Sequence, residues 1–129
     1  VKSLSEEIEM KIKTQDLIGV ALDWAVAKCE EPIGGYKGWV QEDLDKGILH
    51  GMKYSAHWEW AGPLIEREKI RIVFRELEMY SYWFAEAHKP YQGNQYIGGK
   101  GQTPLVAAMR CLVASKLGDE VDIPEELSI

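Results

Sequence analysis

The sequence is poor in the residues that several functional classes require. It has two cysteines, Cys29 and Cys111, far apart in the chain and each inside an apolar helical pattern, so neither a Cys-x-x-Cys metal knuckle nor a disulfide framework is indicated. Both are expected to be reduced core thiols, since free cysteine is among the most buried residue types. Its three histidines, His50, His57 and His88, lack zinc-ligand spacing. His57-Trp58-Glu59 matches the His-x-Glu of zinc deaminases, but the required Pro-Cys-x-x-Cys is missing. The residues therefore point to no metal and no cofactor. No apolar run approaches the roughly 18 residues of a membrane helix, and the N-terminus lacks the apolar core of a signal peptide. A cytoplasmic protein with no membrane partner is the expectation.

Positive charge is also scarce. Fifteen Lys and Arg face 21 Asp and Glu, a net charge of −6. The acidity sits at the ends: residues 118–129 hold five acids and no base, whereas residues 10–117 hold 13 acids and 14 bases. The central body is close to neutral and does not repel a compact anionic ligand. Duplex DNA is an unlikely partner, because no dense basic patch or groove-reading motif is present.

What the chain does have is 46% hydrophobic and 10% aromatic residues over 129 positions, enough for one core in one domain. The expected division is a single domain over 10–118 and an exposed acidic tail over 119–129. Met10-Lys-Ile-Lys reads as a short strand. Thr14 then caps a helix whose apolar stripe is Leu17, Ala21, Trp24 and Ala25, widened by Ile18, Leu22, Val26 and Cys29 and ending before Pro32. Glu30–Gly51 is a glycine-rich excursion with a helical piece near Val40–Lys46. Tyr54–Glu66 follows, with Pro63 at the first position of a short helical turn.

From Arg67 to Arg75 the residues alternate, with Ile70, Ile72 and Phe74 on one side and Arg67, Lys69, Arg71 and Arg75 on the other, which predicts a strand. Met79–Ala87 supplies its partner. A connection around Leu77-Glu78 places Ile72 opposite Trp83 and Ile70 opposite Ala85, with Arg75 beside Tyr80, Val73 beside Tyr82 and Arg71 beside Phe84 on the other face. Residues 88–102 read as a glycine-rich loop. Thr103 caps the last helix, Pro104 takes its first turn, and Leu105, Ala108, Met109, Leu112 and Val113 form its apolar face up to Gly118. The fold class is α+β: a small antiparallel sheet packed with an N-terminal and a C-terminal helix as a layered sandwich.

Three stretches carry a resemblance. They are Ala21-Leu22-Asp23-Trp24-Ala25-Val26-Ala27-Lys28-Cys29, then Tyr54-Ser55 with Trp58 and Gly62-Pro63-Leu64-Ile65-Glu66-Arg67-Glu68, then Thr103–Cys111 with Ser115–Val121 and Pro124. Together they resemble the NinX family of lambdoid phages, proteins of unknown function, with a looser similarity to phage ABA-sandwich domains. The resemblance implies a phage or prophage protein acting in the cytoplasm of a bacterial host, and implies no chemistry. It departs from the family in the Glu30–Lys53 excursion and the Pro90–Gly99 loop. It also implies a natural start near Met10, with residues 1–9 an upstream extension and Glu6-Glu7 encodable as a ribosome-binding site.

Two clusters are candidate sites. Tyr54, His57, Trp58 and Trp60 beside Gly62 could sandwich a base or a sugar, Trp58 being the more natural core anchor of the two tryptophans. Arg71, Arg75 and Lys69 interleaved with Tyr80, Tyr82 and Phe84 suit an anionic ligand bearing a π-system, against the plainer reading of a solvated strand face. Arg110 either snorkels from a partly buried face or clamps an anion. Lys100 and Thr103, in Gly98-Gly99-Lys100-Gly101-Gln102-Thr103-Pro104, place glycine-rich backbone at a helix N-terminus, without the spacing of a phosphate-binding loop. The leading expectation is a non-catalytic binding protein that sequesters a small anionic nucleotide or inhibits a host defence protein. A nucleotide-degrading enzyme and an accessory to phage DNA recombination are the alternatives, and self-association is expected because an aromatic sheet face has reason to be covered.

Overall fold

The computed structural model describes residues 9–30 and 53–127. The excursion after Glu30, with the helical piece expected near Val40–Lys46, lies outside the described residues.

Strand β1, Glu9–Lys13, forms where the sequence predicts it. A 3-10 turn, Thr14–Asp16, then separates it from helix α1, Gly19–Glu30, so Thr14 does not cap the helix. The Thr14 hydroxyl is instead buried and donates to the Gly118 carbonyl at 2.6 Å, while its backbone N–H donates to the Asp119 carbonyl at 2.7 Å. Gly19, at φ 60, supplies the left-handed step after which the helix starts. Residues 21–27, 29 and 30 of α1 are buried, whereas Ile18, expected on the same stripe, precedes the helix and is exposed.

Helix α2, Trp58–Glu68, corrects two expectations. Pro63 lies inside it rather than opening a turn, and Arg67 belongs to it rather than to a strand. The missing proline N–H forfeits one helical bond, but Ala61 and Leu64 still reach the core from this helix. The chain turns at Lys69, held left-handed at φ 55, into strand β2, Arg71–Glu76.

Strand β2 pairs with β3, Ser81–Gln92, and β3 with β4, Gln95–Gly101, in the order β2-β3-β4, all antiparallel. The expected pairing of β2 with β3 is displaced by two residues. Ile72 faces Ala85, Phe74 faces Trp83, Val73 faces Phe84, Arg75 faces Tyr82 and Arg71 faces Glu86. The turn is centred on Glu78-Met79, closed by the Leu77 N–H to the Tyr80 carbonyl at 2.8 Å. An even slip leaves every side chain on its expected face. The loop expected over 88–102 is a hairpin instead: Gly93, at φ 65, and Asn94 turn β3 into β4, and a bulge between Glu86 and Tyr91 absorbs Pro90.

Helix α3, Pro104–Leu117, covers one face of this sheet. The Thr103 hydroxyl accepts from the Val106 N–H at 3.1 Å, a true N-cap. Leu105–Met109 and Cys111–Val113 are buried from this helix, which makes it the centre of the core. Residues 120–124, expected as part of an exposed tail, are strand β5, Glu120–Pro124, paired antiparallel with β1. Val121 and Ile123 alternate with Glu120 and Asp122 and are buried, so two of the tail's acids, Glu120 and Asp122, form the outer face of a ribbon.

Two polar staples tie the helices together. The buried Asp23 carboxylate accepts from the Ser55 N–H at 2.8 Å. Arg67 grips the buried Glu30 through two bonds of 2.9 and 2.8 Å and reaches Glu68 at 2.7 Å, which in turn meets Lys116 at 3.3 Å. The ends of α1, α2 and α3 are joined by that network.

Candidate functional site

The sheet has two unlike faces. Side chains alternate along each strand, so the glycines of β4 divide between them. Gly99 and Gly101 face α3, and a Cβ on Gly99 would stand 2.4 Å from the Ala107 carbonyl oxygen. Helix and strand therefore touch backbone to backbone. Gly98 faces outward, where the Tyr96 ring lies over it: a Cβ there would come within 2.5 Å of that ring.

The outward face carries aromatics and cations in contact. Phe84 and Tyr96 stack at 6.0 Å with 6° between their planes, and Tyr80 stacks on Tyr82 at 5.8 Å. The Arg75 guanidinium sits 4.9 Å over Phe84, and the Lys100 ammonium 5.1 Å from the Tyr82 ring. Arg71 is exposed and bonded to Glu86, which also accepts from the Tyr96 hydroxyl at 3.1 Å. The Arg71 hydrogen bond holds the Glu86 carboxyl below the usual range, and burial with the Glu86 bond raises the Tyr96 phenol.

At the β4 edge this face runs into a cleft of about 540 Å³, lined by Gln15, Phe84, Tyr96, Lys100, Arg110 and Asp119 among others. The volume falls in the small-ligand range. Arg110 reaches it from α3, with Nε on the Leu17 carbonyl at 2.8 Å and Nη1 on the Lys100 carbonyl at 2.7 Å. Both expectations for Arg110 are thereby recast: it clamps two main-chain carbonyls and presents its guanidinium to the cleft. Burial lowers its pKa, as desolvation disfavours the charged form. Gln15 closes the edge of β4 by donating to the Gly98 carbonyl at 3.0 Å and accepting from the Lys100 N–H at 3.1 Å. The segment Gly98–Gly101 is thus an edge strand and not a loop around an anion.

The structure gathers Arg71, Arg75, Tyr80, Tyr82, Lys100 and Arg110 on or beside this face, and adds Tyr96, Gln15 and Asp119. The other cluster is divided. Tyr54 is buried in the core with its ring edge-on to Trp60 at 5.1 Å. Trp60 packs on the core and Trp58 is 56% exposed, the reverse of the expected core preference. Two helical positions separate them, so they point to nearly opposite sides. The Thr103 hydroxyl is engaged in its cap, and Lys69 ends α2 away from the strand face. Tyr96 carried a signal in its setting, since Gly93-Asn94 between two mixed runs reads as a hairpin turn. Gln15 carried none.

The domain is α+β, with one sheet face covered by α3 and the other aromatic and cationic. No helix among the described residues is long and apolar enough to cross a membrane. The family model for Bacteriophage P22, NinX matches residues 13–116, from the end of β1 to the last turn of α3, and the chain belongs to that family of phage accessory proteins. Every cleft residue named above except Asp119 lies within the match. No curated protein matches the chain.

Proposed function

We propose that this phage accessory protein works in the host cytoplasm by binding, without catalysis, a small anionic nucleotide in the cleft at the β4 edge. One observation carries the reading: the stacked Phe84–Tyr96 wall stands beside Lys100 and Arg110 in a cavity of ligand size. The ring faces offer a stacking surface for a base, and the two cations outnumber the one carboxylate of the lining, Asp119. Sequestration of a host signal nucleotide is the biological role this chemistry suits. Inhibition of a host defence protein is the competing role.

Titration calorimetry of the full chain with a panel of adenine and guanine nucleotides tests the reading. Expected are saturable binding and a loss of roughly 5- to 150-fold in Phe84→Ala, the equivalent of one base stack. Absence of heat and of thermal shift across the panel overturns it. Chromatography of the nucleotide after denaturing the complex separates a binder from a degradative enzyme, because a binder returns the ligand intact.

A second reading draws on the aromatics beyond the cleft. Tyr80 and Tyr91 are 62% and 66% exposed on the same sheet, a length of stacking surface that suits single-stranded nucleic acid and the recombination role. Salt-dependent retardation of an oligonucleotide favours it. Self-association is proposed from Phe74, Leu77, Met79 and Tyr80, all exposed near the β2–β3 turn, and sedimentation of the chain measures it.

A further inference from the structure

The cleft continues past Gln15. A second cavity, of about 660 Å³ and lined by Lys11, Lys13, Gln15, Asp119 and Glu120, shares Gln15 and Asp119 with the first. The junction between an aromatic chamber and a lysine-bearing one is therefore made by two side chains, and they differ in what they offer. The Gln15 amide is committed on both of its atoms to the β4 edge. Asp119 is fixed through its main chain alone, by the Thr14 N–H at 2.7 Å. Its carboxylate makes no hydrogen bond or ion pair with any described residue.

An ionised carboxylate only accepts hydrogen bonds. Whatever crosses the junction must present donors there, and a phosphate placed against Asp119 meets like charge. The base is already accommodated by the Phe84–Tyr96 wall, and cations flank the junction, Arg110 on one side and Lys13 on the other. The part of a nucleotide that lies between base and phosphate is its sugar, and a ribose carries two neighbouring neutral O–H donors.

Resting on the nucleotide-binding reading above, we propose that Asp119 engages the vicinal hydroxyls of a ribose. The ligand class is then a ribonucleotide that spans both chambers, with its base at the aromatic wall and its phosphate next to Arg110 or Lys13.

Calorimetry of the full chain with ADP, ADP-ribose and 2′-deoxy-ADP tests this, alongside Asp119→Asn. Loss of a hydroxyl bond to a charged acceptor weakens binding roughly 10- to 100-fold, so that gap is expected between ADP and 2′-deoxy-ADP. In Asp119→Asn the gap is expected to shrink to a few-fold while 2′-deoxy-ADP binds as before. The exposed side chain leaves the melting temperature unchanged. Equal affinity for ADP and 2′-deoxy-ADP overturns the ribose assignment and leaves nucleotide binding standing. A gap that persists in Asp119→Asn places the hydroxyl contact on another residue and overturns the role of Asp119. Absence of binding by all three probes and by the guanine nucleotides of the panel overturns both readings.

Discussion

Gly99 and Ala107 lie so close that a methyl group on the glycine would stand 2.4 Å from the Ala107 carbonyl oxygen. A methyl group on its neighbour Gly98 would meet the Tyr96 side chain first, at 2.5 Å. The two positions thus separate stability from binding. Gly99→Ala has to push α3 off the sheet, since backbone cannot rotate aside, and is expected to cost about 3 kcal/mol, at the upper end of overpacking. Gly98→Ala is expected to displace a movable ring, leaving urea stability within about 1 kcal/mol while opening the Phe84–Tyr96 stack and weakening nucleotide binding. Urea unfolding and calorimetry on the two variants read the difference.

The Glu30 side chain is 8% exposed and, among the described residues, takes its hydrogen bonds from Arg67 alone. Arg67→Met leaves a buried carboxylate without a partner among those residues. Broken buried pairs cost about 3–5 kcal/mol, and with Arg67 itself 36% exposed a loss of about 2–3 kcal/mol is expected. Replacing both partners, as Glu30→Met with Arg67→Met, is expected to recover most of it. A double variant as unstable as Arg67→Met alone would contradict the account.

Asp23 sits in α1 with its pKa raised above the ordinary 3.8, because burial outweighs the hydrogen bond from Ser55. A carboxyl that binds its proton more tightly when folded contributes stability below its unfolded pKa, and that stability is lost as pH rises through the raised value. Asp23→Asn keeps an acceptor for Ser55 and has no charge to desolvate. Relative to the wild type, the variant is expected to match it near pH 3 and to gain stability as pH climbs above 4, measured by denaturant unfolding at each pH.

Cys29 and Cys111 are both buried, and burial pushes each thiol up to about 12. At pH 8 roughly one thiol in ten thousand is then ionised. The folded protein is expected to react with a disulfide reagent far more slowly than free cysteine, and the unfolded chain to release two equivalents promptly. A fast phase of one equivalent in the native state would place a thiol at the surface.

The elements most legible in the sequence were those with a complete set of local signals. Thr103, Pro104 and Gly118 bracket α3 as expected, and β1 falls where the pattern puts it. The misreadings share a cause, which is tertiary contact overriding local grammar. Gly98, Gly99 and Gly101 read as loop because glycine weakens strands, yet here the absent side chains of Gly99 and Gly101 admit α3 and that of Gly98 admits the Tyr96 ring. Val121 and Ile123 alternate properly, but the acids between them suggested a tail until β1 supplied a partner. Arg67 and Lys69 extend the alternation of β2 by coincidence, since the helix carrying Arg67 is held by Glu30, thirty-seven positions earlier. The aromatic and cationic face survived the register error because a two-residue slip preserves the face.

The pairing of β1 with β5 sets an order of events during synthesis. Glu9 lies opposite Pro124 and Lys13 opposite Glu120, so the first strand of the domain waits for almost the last. The hairpins of β2, β3 and β4 can close from neighbouring sequence, whereas this ribbon requires the longest loop closure in the fold. A ribosome delivers the chain from its N-terminus, and β1 emerges with its backbone groups hydrated and unmatched. Asp119, held by the Thr14 N–H at the root of that ribbon, is therefore positioned by a contact between the two ends of the domain.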